Sequence, residues 1–395
     1  VGGVLRSIAA VVGLGTILGK LLAESGGAQV LANTLIRALG EKRLPWSMLV
    51  IGFVVGLPTW FTVGLVLLMP VLLAVRQAAG ASLLRFGLPM LGGLALAHGL
   101  VPPHPGPMAA IGTLGAQVGA TDTGRVILLA VLVAIPAGVC GQGVALWRAR
   151  RTPWVAGADG GGADAAGAAP RPPRFGLTLG TILLPLILML LATAGAIALP
   201  PTSAVRGWLE FAGDPTVAML VGVLVALWSL GYRCGFDGGQ LARFAEESLG
   251  PGATVLLVVG AGGGFSKVLA ASGVGDAVAN VARGSGLSPL LLGWLLAAGI
   301  RVATGSSTVG ITMAAGMVAP VAAATPGTNP ELLIVAMGAG SLFLSHVNDG
   351  GFWFVKEYYR LTVAETLRTW TVLVSVLAVA ALGAVLICDR LRVFF

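Results

Sequence analysis

Long apolar runs, separated by short polar or Gly- and Pro-rich stretches, follow one another along the whole chain. A helix that crosses a membrane needs about 20 predominantly apolar residues, and most of these runs approach that length. The pattern predicts helical elements at about residues 4–22, 46–75, 86–101, 107–119, 126–147, 176–199, 216–231, 253–271, 288–322, 331–347 and 367–388. Two of them, 46–75 and 288–322, are too long for one ordinary crossing, which predicts a break inside each.

Composition supports an integral membrane protein. Of 395 residues, 56% are hydrophobic and 10% are charged, whereas about 25% of a soluble domain is charged. The formal net charge of +8 would suggest nucleic acid in a soluble chain, but here Lys and Arg lie in short groups between apolar runs, as in cytoplasmic loops. We therefore expect a multi-pass protein with no nucleic-acid partner. The number of apolar runs excludes a single-span receptor.

A Gly-, Ala- and Pro-rich stretch with five arginines, residues 148–174, is predicted to be a cytoplasmic linker. It divides the chain into a first half, 1–147, and a second half, 175–395. The first apolar run lacks the charged leader and cleavage site of a signal peptide, and we expect further residues before Val1. The three cysteines have no metal-ligand spacing and are predicted to be inert.

The two halves share sequence. Residues 13–33 (GLGTILGKLLAESGGAQVLAN) and 260–280 (GAGGGFSKVLAASGVGDAVAN) have nine identities at one constant offset, and later His98 answers to His346. Such self-similarity predicts an internal duplication. The predicted fold class is therefore an all-α integral membrane protein with two inverted structural repeats, each with a re-entrant hairpin and a broken transmembrane helix.

Each half contains two breaks at matching places. LPTWFTVG (57–64) and ATGSSTVG (303–310) interrupt the two long segments, as expected of hairpin tips that expose backbone groups beside protein or a water-filled cavity. The second breaks are AHGLVPPHPGP (97–107), whose prolines cannot continue a helix, and SHVNDGGFW (345–353). Duplicated broken helices predict the binding site of a secondary transporter, where half-helix N-termini offer amides to an anion.

The chain resembles the gluconate permease family of proton symporters, within the broader ion transporter superfamily. The resemblance rests on GLGTILGKLLAESGGAQ, GFVVGLPTWFTVGLVLLMP, AHGLVPPHPGP, RVATGSSTVGITMAAG and SHVNDGGFWFVKEY, and it covers nearly the whole chain. It implies proton-coupled uptake of sugar acids or related small hydroxy or amino carboxylates through the bacterial inner membrane. The superfamily further implies an elevator-type transport domain and a homodimer.

Two departures from the family pattern are visible. Family members usually have helices before the position at which this chain starts. At the first hairpin tip, Thr62 stands where gluconate permeases tend to carry a glutamate. The missing carboxylate bears on both the identity of the substrate and the usual coupling site.

Charged and titratable residues near the breaks are candidates for the site. Arg301 follows an apolar run, where a charge costs about 2.5 to 3.5 kcal/mol on insertion scales and so needs a partner. That partner could be a substrate carboxylate, which guanidinium binds bidentately, or it could be Asp349 or Glu24 in a structural ion pair. His98 and His346 could carry the coupling proton, because imidazole titrates near neutral pH, or could only hydrogen-bond broken backbone.

The other candidates also have two interpretations. Asp349 could accept the coupling proton and Asn348 could bind hydroxyls, or both could cap a half-helix. His104, held between two prolines, suits either hydroxyl binding or proton transfer, and Ser and Thr at the hairpin tips suit a polyhydroxylated substrate but also satisfy backbone groups. The predicted substrate-binding residues are Thr59, Thr62, His104, Arg301, Ser306, Ser307, Thr308 and Asn348, and the predicted proton-coupling residues are His98, His346 and Asp349.

Other functions compete with proton symport of gluconate or a related acid. A sodium-coupled carrier or a permease for D-serine or hydroxybutyrate would keep the same architecture. An intramembrane enzyme would use the three histidines with Asp349 as metal ligands, but no HExxH-like spacing is present, and a passive channel would need charge rings or carbonyl filters. We expect a transporter with no cofactor and no metal, whose partners are a small carboxylate, protons and the lipid bilayer.

Overall fold

A computed structural model describes residues 2–39, 43–79, 81–119, 121–151, 171–272 and 287–393, and within them the chain is helical with no strand. The first half contains α1 (Gly2–Glu24), α2 (Gly27–Leu39), α3 (Leu44–Gly56), α4 (Phe61–Ala79), α5 (Leu83–Leu100), α6 (Pro105–Gly115) and α7 (Thr123–Arg151). The second half contains α8 (Phe175–Ala198), α9 (Ala204–Ala212), α10 (Pro215–Ala226), α11 (Gly238–Ala271), α12 (Pro289–Thr304), α13 (Ser307–Ala324), α14 (Pro330–Gly340), α15 (Gly350–Tyr358), α16 (Val363–Thr366) and α17 (Val372–Arg390).

The all-α membrane architecture is confirmed. Six spans within the described residues are long and apolar enough to cross a membrane, or seven if the bent pair α1 and α2 counts as one. Most of the predicted linker (152–170) and part of the second repeat block (273–280) lie outside the described residues. The division of the chain into two repeats joined by that linker stays a prediction.

Both long apolar segments are interrupted as predicted. Residues 57–60 separate α3 from α4, and residues 305–306 separate α12 from α13, while the two helices of each pair pack against each other. The predicted element 331–347 is shorter than expected, because the chain turns after Gly340 and becomes helical again at Gly350. Helices α2 and α9 were not predicted, since each is short and polar residues interrupt its apolar positions.

Backbones approach closely where each hairpin meets a broken helix. A Cβ placed on Gly52 in α3 would lie 2.1 Å from the carbonyl oxygen of Met90 in α5. In the second half, a Cβ on Gly340 in α14 would lie 2.3 Å from the carbonyl oxygen of Trp294 in α12. Only glycine fits such contacts, and they hold α3 on α5 and α12 on α14.

The two broken segments, α5–α6 and α14–α15, run in opposite directions. A Cβ on Gly87, near the start of α5, would meet the ring of Tyr359, which directly follows α15. At the other end, the backbone N–H of Asp122, between α6 and α7, donates to Oε1 of Glu331 in the first turn of α14 (3.1 Å). These contacts show that the two broken segments are antiparallel, while their origin in two inverted repeats stays a prediction.

Basic residues gather at the end of the molecule where α5 begins. Helix α7 packs against α5, with a Cβ on Gly138 3.5 Å from Leu96, so its C-terminus returns to the level of the first turn of α5. The described basic residues near this end include Arg37, Arg43, Arg76, Arg85, Arg148, Arg150, Arg151 and Arg360. By the positive-inside rule, this distribution predicts that this end faces the cytoplasm.

Candidate functional site

A cavity of about 310 Å³ lies where the two hairpin tips meet the second break of the second half. Three helices begin at its wall: α4 at Phe61, α13 at Ser307 and α15 at Gly350. The first amides of a helix have no partner within the helix, and the helix dipole adds partial positive charge there. Three such N-termini around one cavity form a setting that favours an anion.

Arg301 and Asp349 form an ion pair on the wall of this cavity, with Nη2 and Oδ2 2.5 Å apart. Both residues are buried, at 6% and 8% exposure. Nη1 of Arg301 donates to the carbonyl oxygen of Gly305 at the hairpin tip, while its buried Nε has no hydrogen-bond partner among the described residues. The structural ion pair predicted as an alternative is therefore present, and the same guanidinium also faces the cavity.

The carboxylate of Asp349 is fixed by three donors. Besides Arg301, the hydroxyl of Ser345 donates to Oδ2, and the backbone N–H of Gly351 donates to Oδ1 (2.9 Å), which makes Asp349 the N-cap of α15. The indole N–H of Trp370 donates to Oγ of Ser345 (2.8 Å). The network links the helical span that contains Trp370 to the second hairpin through this one carboxylate.

Hydroxyl groups line the same cavity. Oγ of Ser306 caps α13, and Oγ of Ser307 shares a hydrogen bond with Oγ of Ser341 (2.7 Å). Thr62 and Thr308 lie in the first turns of α4 and α13. The serines at the second tip thus satisfy local polar groups, as their structural alternative predicted, and remain on the cavity wall.

Two histidines meet beside the first hairpin tip. The ring centroids of His98 and His104 are 4.9 Å apart, and the ring of Trp60 lies 6.4 Å from His98. His98 is on the cavity wall, and its buried Nδ1 has no hydrogen-bond partner among the described residues. His104 lies outside the wall, and its Nε2 donates to the carbonyl oxygen of Gly56 (2.8 Å), so Nε2 carries a proton.

Three further candidates bond to backbone away from the cavity wall. Thr59 Oγ1 donates to the carbonyl oxygen of Val55 (2.6 Å). His346 Nε2 and Asn348 Nδ2 both donate to the carbonyl oxygen of Val302, at 3.2 Å and 2.8 Å. Their roles in binding and coupling stay predictions.

Seven of the eleven predicted residues therefore share one cavity: Thr62, His98, Arg301, Ser306, Ser307, Thr308 and Asp349. Sequence analysis missed Trp60 and Trp370 on the same wall, and Ser345 behind it. The position of Trp60 inside the first tip motif was a usable signal. Trp370 lies within an apolar span, where nothing in the sequence separates it from a tryptophan that faces lipid.

Comparison with known proteins identifies the family. The family model described as GntP family permease matches residues 1–391. The chain is 46% identical to a gluconate permease of Pseudomonas aeruginosa over 98% of this chain and 85% of that protein, and 43% identical to a gluconate permease of Zymomonas mobilis over 96% and 84%.

A solved structure shares the fold. The chain superimposes on the YdaH transporter of Alcanivorax borkumensis with a TM-score of 0.67 and 18% identity, covering 100% of this chain and 87% of that one. The family match spans nearly the whole chain and agrees with a helical membrane architecture built around an anion-favouring cavity. The chain belongs to the GntP family of permeases, multi-pass transporters of the bacterial inner membrane and not enzymes.

Proposed function

We propose that this permease imports gluconate or a related small hydroxy or sugar-acid carboxylate by proton symport. The observation that carries the proposal is the buried Arg301–Asp349 pair on the wall of a cavity where three helix N-termini meet. The two relatives named gluconate permease support the choice of substrate class. The cavity volume of about 310 Å³ is near the lower end of the range of small-molecule sites, about 300 to 1,000 Å³.

Arg301 is the proposed ligand of the substrate carboxylate. Nε and Nη2 lie on one edge of the guanidinium, and this edge can bind a carboxylate with two parallel hydrogen bonds. Nε has no hydrogen-bond partner among the described residues, and Nη2 forms the ion pair with Asp349. If Asp349 releases Nη2, the whole edge becomes available to the substrate, with amides of α13 and α15 close by to stabilise its charge.

The remaining wall matches a polyhydroxylated chain. Hydroxyls of Thr62, Ser306, Ser307 and Thr308 can exchange hydrogen bonds with substrate hydroxyls, each acting as donor or acceptor. Apolar faces of aromatic residues such as Trp370 complete the wall and limit the water around the buried charges. Polar groups in a mainly apolar site fix the orientation of a ligand.

Charge balance supports coupling to one proton. Arg301 and Asp349 are oppositely charged residues of the cavity wall, so their charges cancel. A monocarboxylate adds one uncompensated negative charge to a partly enclosed site, which is costly at low dielectric. A proton bound by Asp349 restores neutrality and frees Nη2 of Arg301 for the substrate, which gives one proton per monocarboxylate.

His98 is the proposed relay for that proton. It shares the cavity wall with Asp349, and its buried Nδ1 is without a described partner. The predicted part of His346 in coupling is retained as a proposal, although its Nε2 donates to a backbone carbonyl. The homodimer implied by the family resemblance is likewise a proposal, and light scattering of the purified protein in detergent tests it.

Uptake of radiolabelled gluconate into proteoliposomes containing the full-length protein tests the proposed function. We expect accumulation under an inward proton gradient, its loss when a protonophore collapses the gradient, and no response to a sodium gradient at constant pH. Accumulation that follows sodium would contradict proton coupling. If gluconate does not enter under either gradient, gluconate is the wrong substrate, and competition by glycerate, hydroxybutyrate and D-serine would identify the acid transported.

A further inference from the structure

A second cavity, of about 490 Å³, lies at the base of the first hairpin, far along the chain from the hairpin tip. The end of α2, the beginnings of α3 and α5, and the end of α4 surround it. Its wall combines apolar side chains with an amide and a guanidinium, among them Ile36, Leu44, Val75, Phe86, Asn33 and Arg85. A ligand with both an apolar and a polar part matches this composition.

One arginine lies on the cavity wall, and three more are sequence neighbours of wall residues. Arg85 is on its wall, and Arg37, Arg43 and Arg76 each directly neighbour a wall residue in the sequence. Among the described residues, no carboxylate forms an ion pair with Arg37, Arg43 or Arg85, and all three are exposed. The charged residues at 41–42 lie outside the described residues and have opposite signs. The described charges on the wall and next to it in the sequence are therefore positive, which suits an anion.

The cavity also lies at the cytoplasmic end of the molecule, by the distribution of basic residues described above. The cytoplasmic leaflet presents anionic phospholipids at this level, and basic pockets between helices on this side bind their head groups. A soluble anion would bind the arginines but leave the apolar side chains of the wall exposed to water. A phospholipid uses both, because its acyl chain covers apolar side chains while its phosphate meets the guanidinium groups.

We propose that this cavity binds one anionic phospholipid, with Arg85 as the main ligand of its phosphate and Arg37 and Arg43 as flanking cations. The lipid contacts the base of both α3 and α4 together with α2 and α5. It therefore connects the base of the first hairpin to the neighbouring helices α2 and α5. The site is separate from the substrate cavity and does not depend on which acid is transported.

Native mass spectrometry of the full-length protein in detergent, titrated with phosphatidylglycerol or phosphatidylcholine, tests the proposal. Wild-type protein should retain phosphatidylglycerol in preference to phosphatidylcholine. Arg85→Gln should weaken phosphatidylglycerol binding about fivefold, the contribution of one basic residue near an anionic surface, and leave phosphatidylcholine unchanged. The matched control is Arg368→Gln, an exposed arginine outside the cavity wall.

Several results would overturn the site. One is equal retention of the two lipids by the wild type, and another is an equal effect of Arg85→Gln and Arg368→Gln. A third is a rise in melting temperature with inorganic phosphate alone that equals the rise with phosphatidylglycerol, since that would identify a soluble anion as the ligand. If Arg85→Gln does not fold, Arg37→Gln replaces it, and unchanged phosphatidylglycerol binding in that exposed variant would also contradict the proposal.

Discussion

Arg301 and Asp349, 48 residues apart in the sequence, meet in a buried ion pair at the wall of the proposed substrate cavity. Arg301 belongs to the last turn of α12, and Asp349 caps the first turn of α15. The pair therefore joins the second hairpin to the second broken segment. A change in one partner should alter transport by changing the charge and hydrogen bonding of the cavity as a whole.

Arg301→Lys should lower the apparent affinity for substrate about tenfold or more. Lysine keeps the positive charge but loses the planar fork that can bind a carboxylate with two hydrogen bonds, and a charged hydrogen bond is worth about 1.5 to 3 kcal/mol. The measurement is the KM of gluconate uptake in proteoliposomes. Arg390→Lys, at an exposed position at the end of α17, is the control; equal KM values for the two variants would count against Arg301 as the carboxylate ligand.

Gly305→Ala should abolish uptake or sharply reduce the amount of folded protein. Gly305 has a φ of +74°, and a Cβ there would lie 2.1 Å from the carbonyl oxygen of Asn348. Left-handed backbone costs a non-glycine residue about 1 to 2 kcal/mol before the clash is counted. Gly299→Ala in the preceding helix α12, where a Cβ meets nothing within 4 Å, should transport normally. Uptake by Gly305→Ala at the wild-type rate would show that the tip does not need this geometry.

Trp370→Phe should weaken substrate binding by about two- to tenfold. The change keeps an aromatic ring on the cavity wall but removes the N–H that donates to Ser345 Oγ, and one hydrogen bond contributes about 0.5 to 1.5 kcal/mol. KM is again the quantity to measure. Trp228→Phe, at a half-exposed position after α10, is the control and should leave KM unchanged. An unchanged KM in Trp370→Phe as well would show that the network through Ser345 does not position Asp349.

Lys20→Met should slightly lower the melting temperature of the protein in detergent at low salt. Lys20 Nζ lies 2.7 Å from Glu24 Oε1 and 2.9 Å from Glu247 Oε2, which connects α1 to α11. Partly exposed ion pairs contribute little and are screened by salt, so the difference should vanish at high ionic strength. Lys356→Met breaks a pair with the adjacent Glu357 only and serves as the control; a decrease that persists in high salt would show that packing, and not charge, explains the effect.

The breaks in the helices could be predicted from the sequence because their causes are local. Gly, Pro, Ser and Thr near the centres of the segments around residues 57–64 and 303–310 interrupt the helices wherever the rest of the chain lies. The helix count around α14 and α15 was harder, since the unwound stretch between them contains apolar residues as well as polar ones. Short helices such as α9 lack an apolar run long enough to be predicted from the sequence.

The partners of the site residues could be predicted only as alternatives. Arg301 was expected to pair with substrate, Asp349 or Glu24, and tertiary structure places Glu24 beside Lys20 and Asp349 beside Arg301. Trp370 reaches the cavity through a span that looks uniformly apolar in sequence. Which polar groups meet across distant segments depends on helix packing, and local patterns carry little information about it.

The most direct test of the central claim compares two kinds of uptake by Asp349→Asn. Asparagine is a good N-cap and should preserve the start of α15, but it cannot accept the coupling proton. We predict that the variant exchanges labelled for unlabelled gluconate across the membrane yet fails to accumulate gluconate under a proton gradient. Accumulation at the wild-type level in this variant would contradict the account, because the proton would then bind elsewhere.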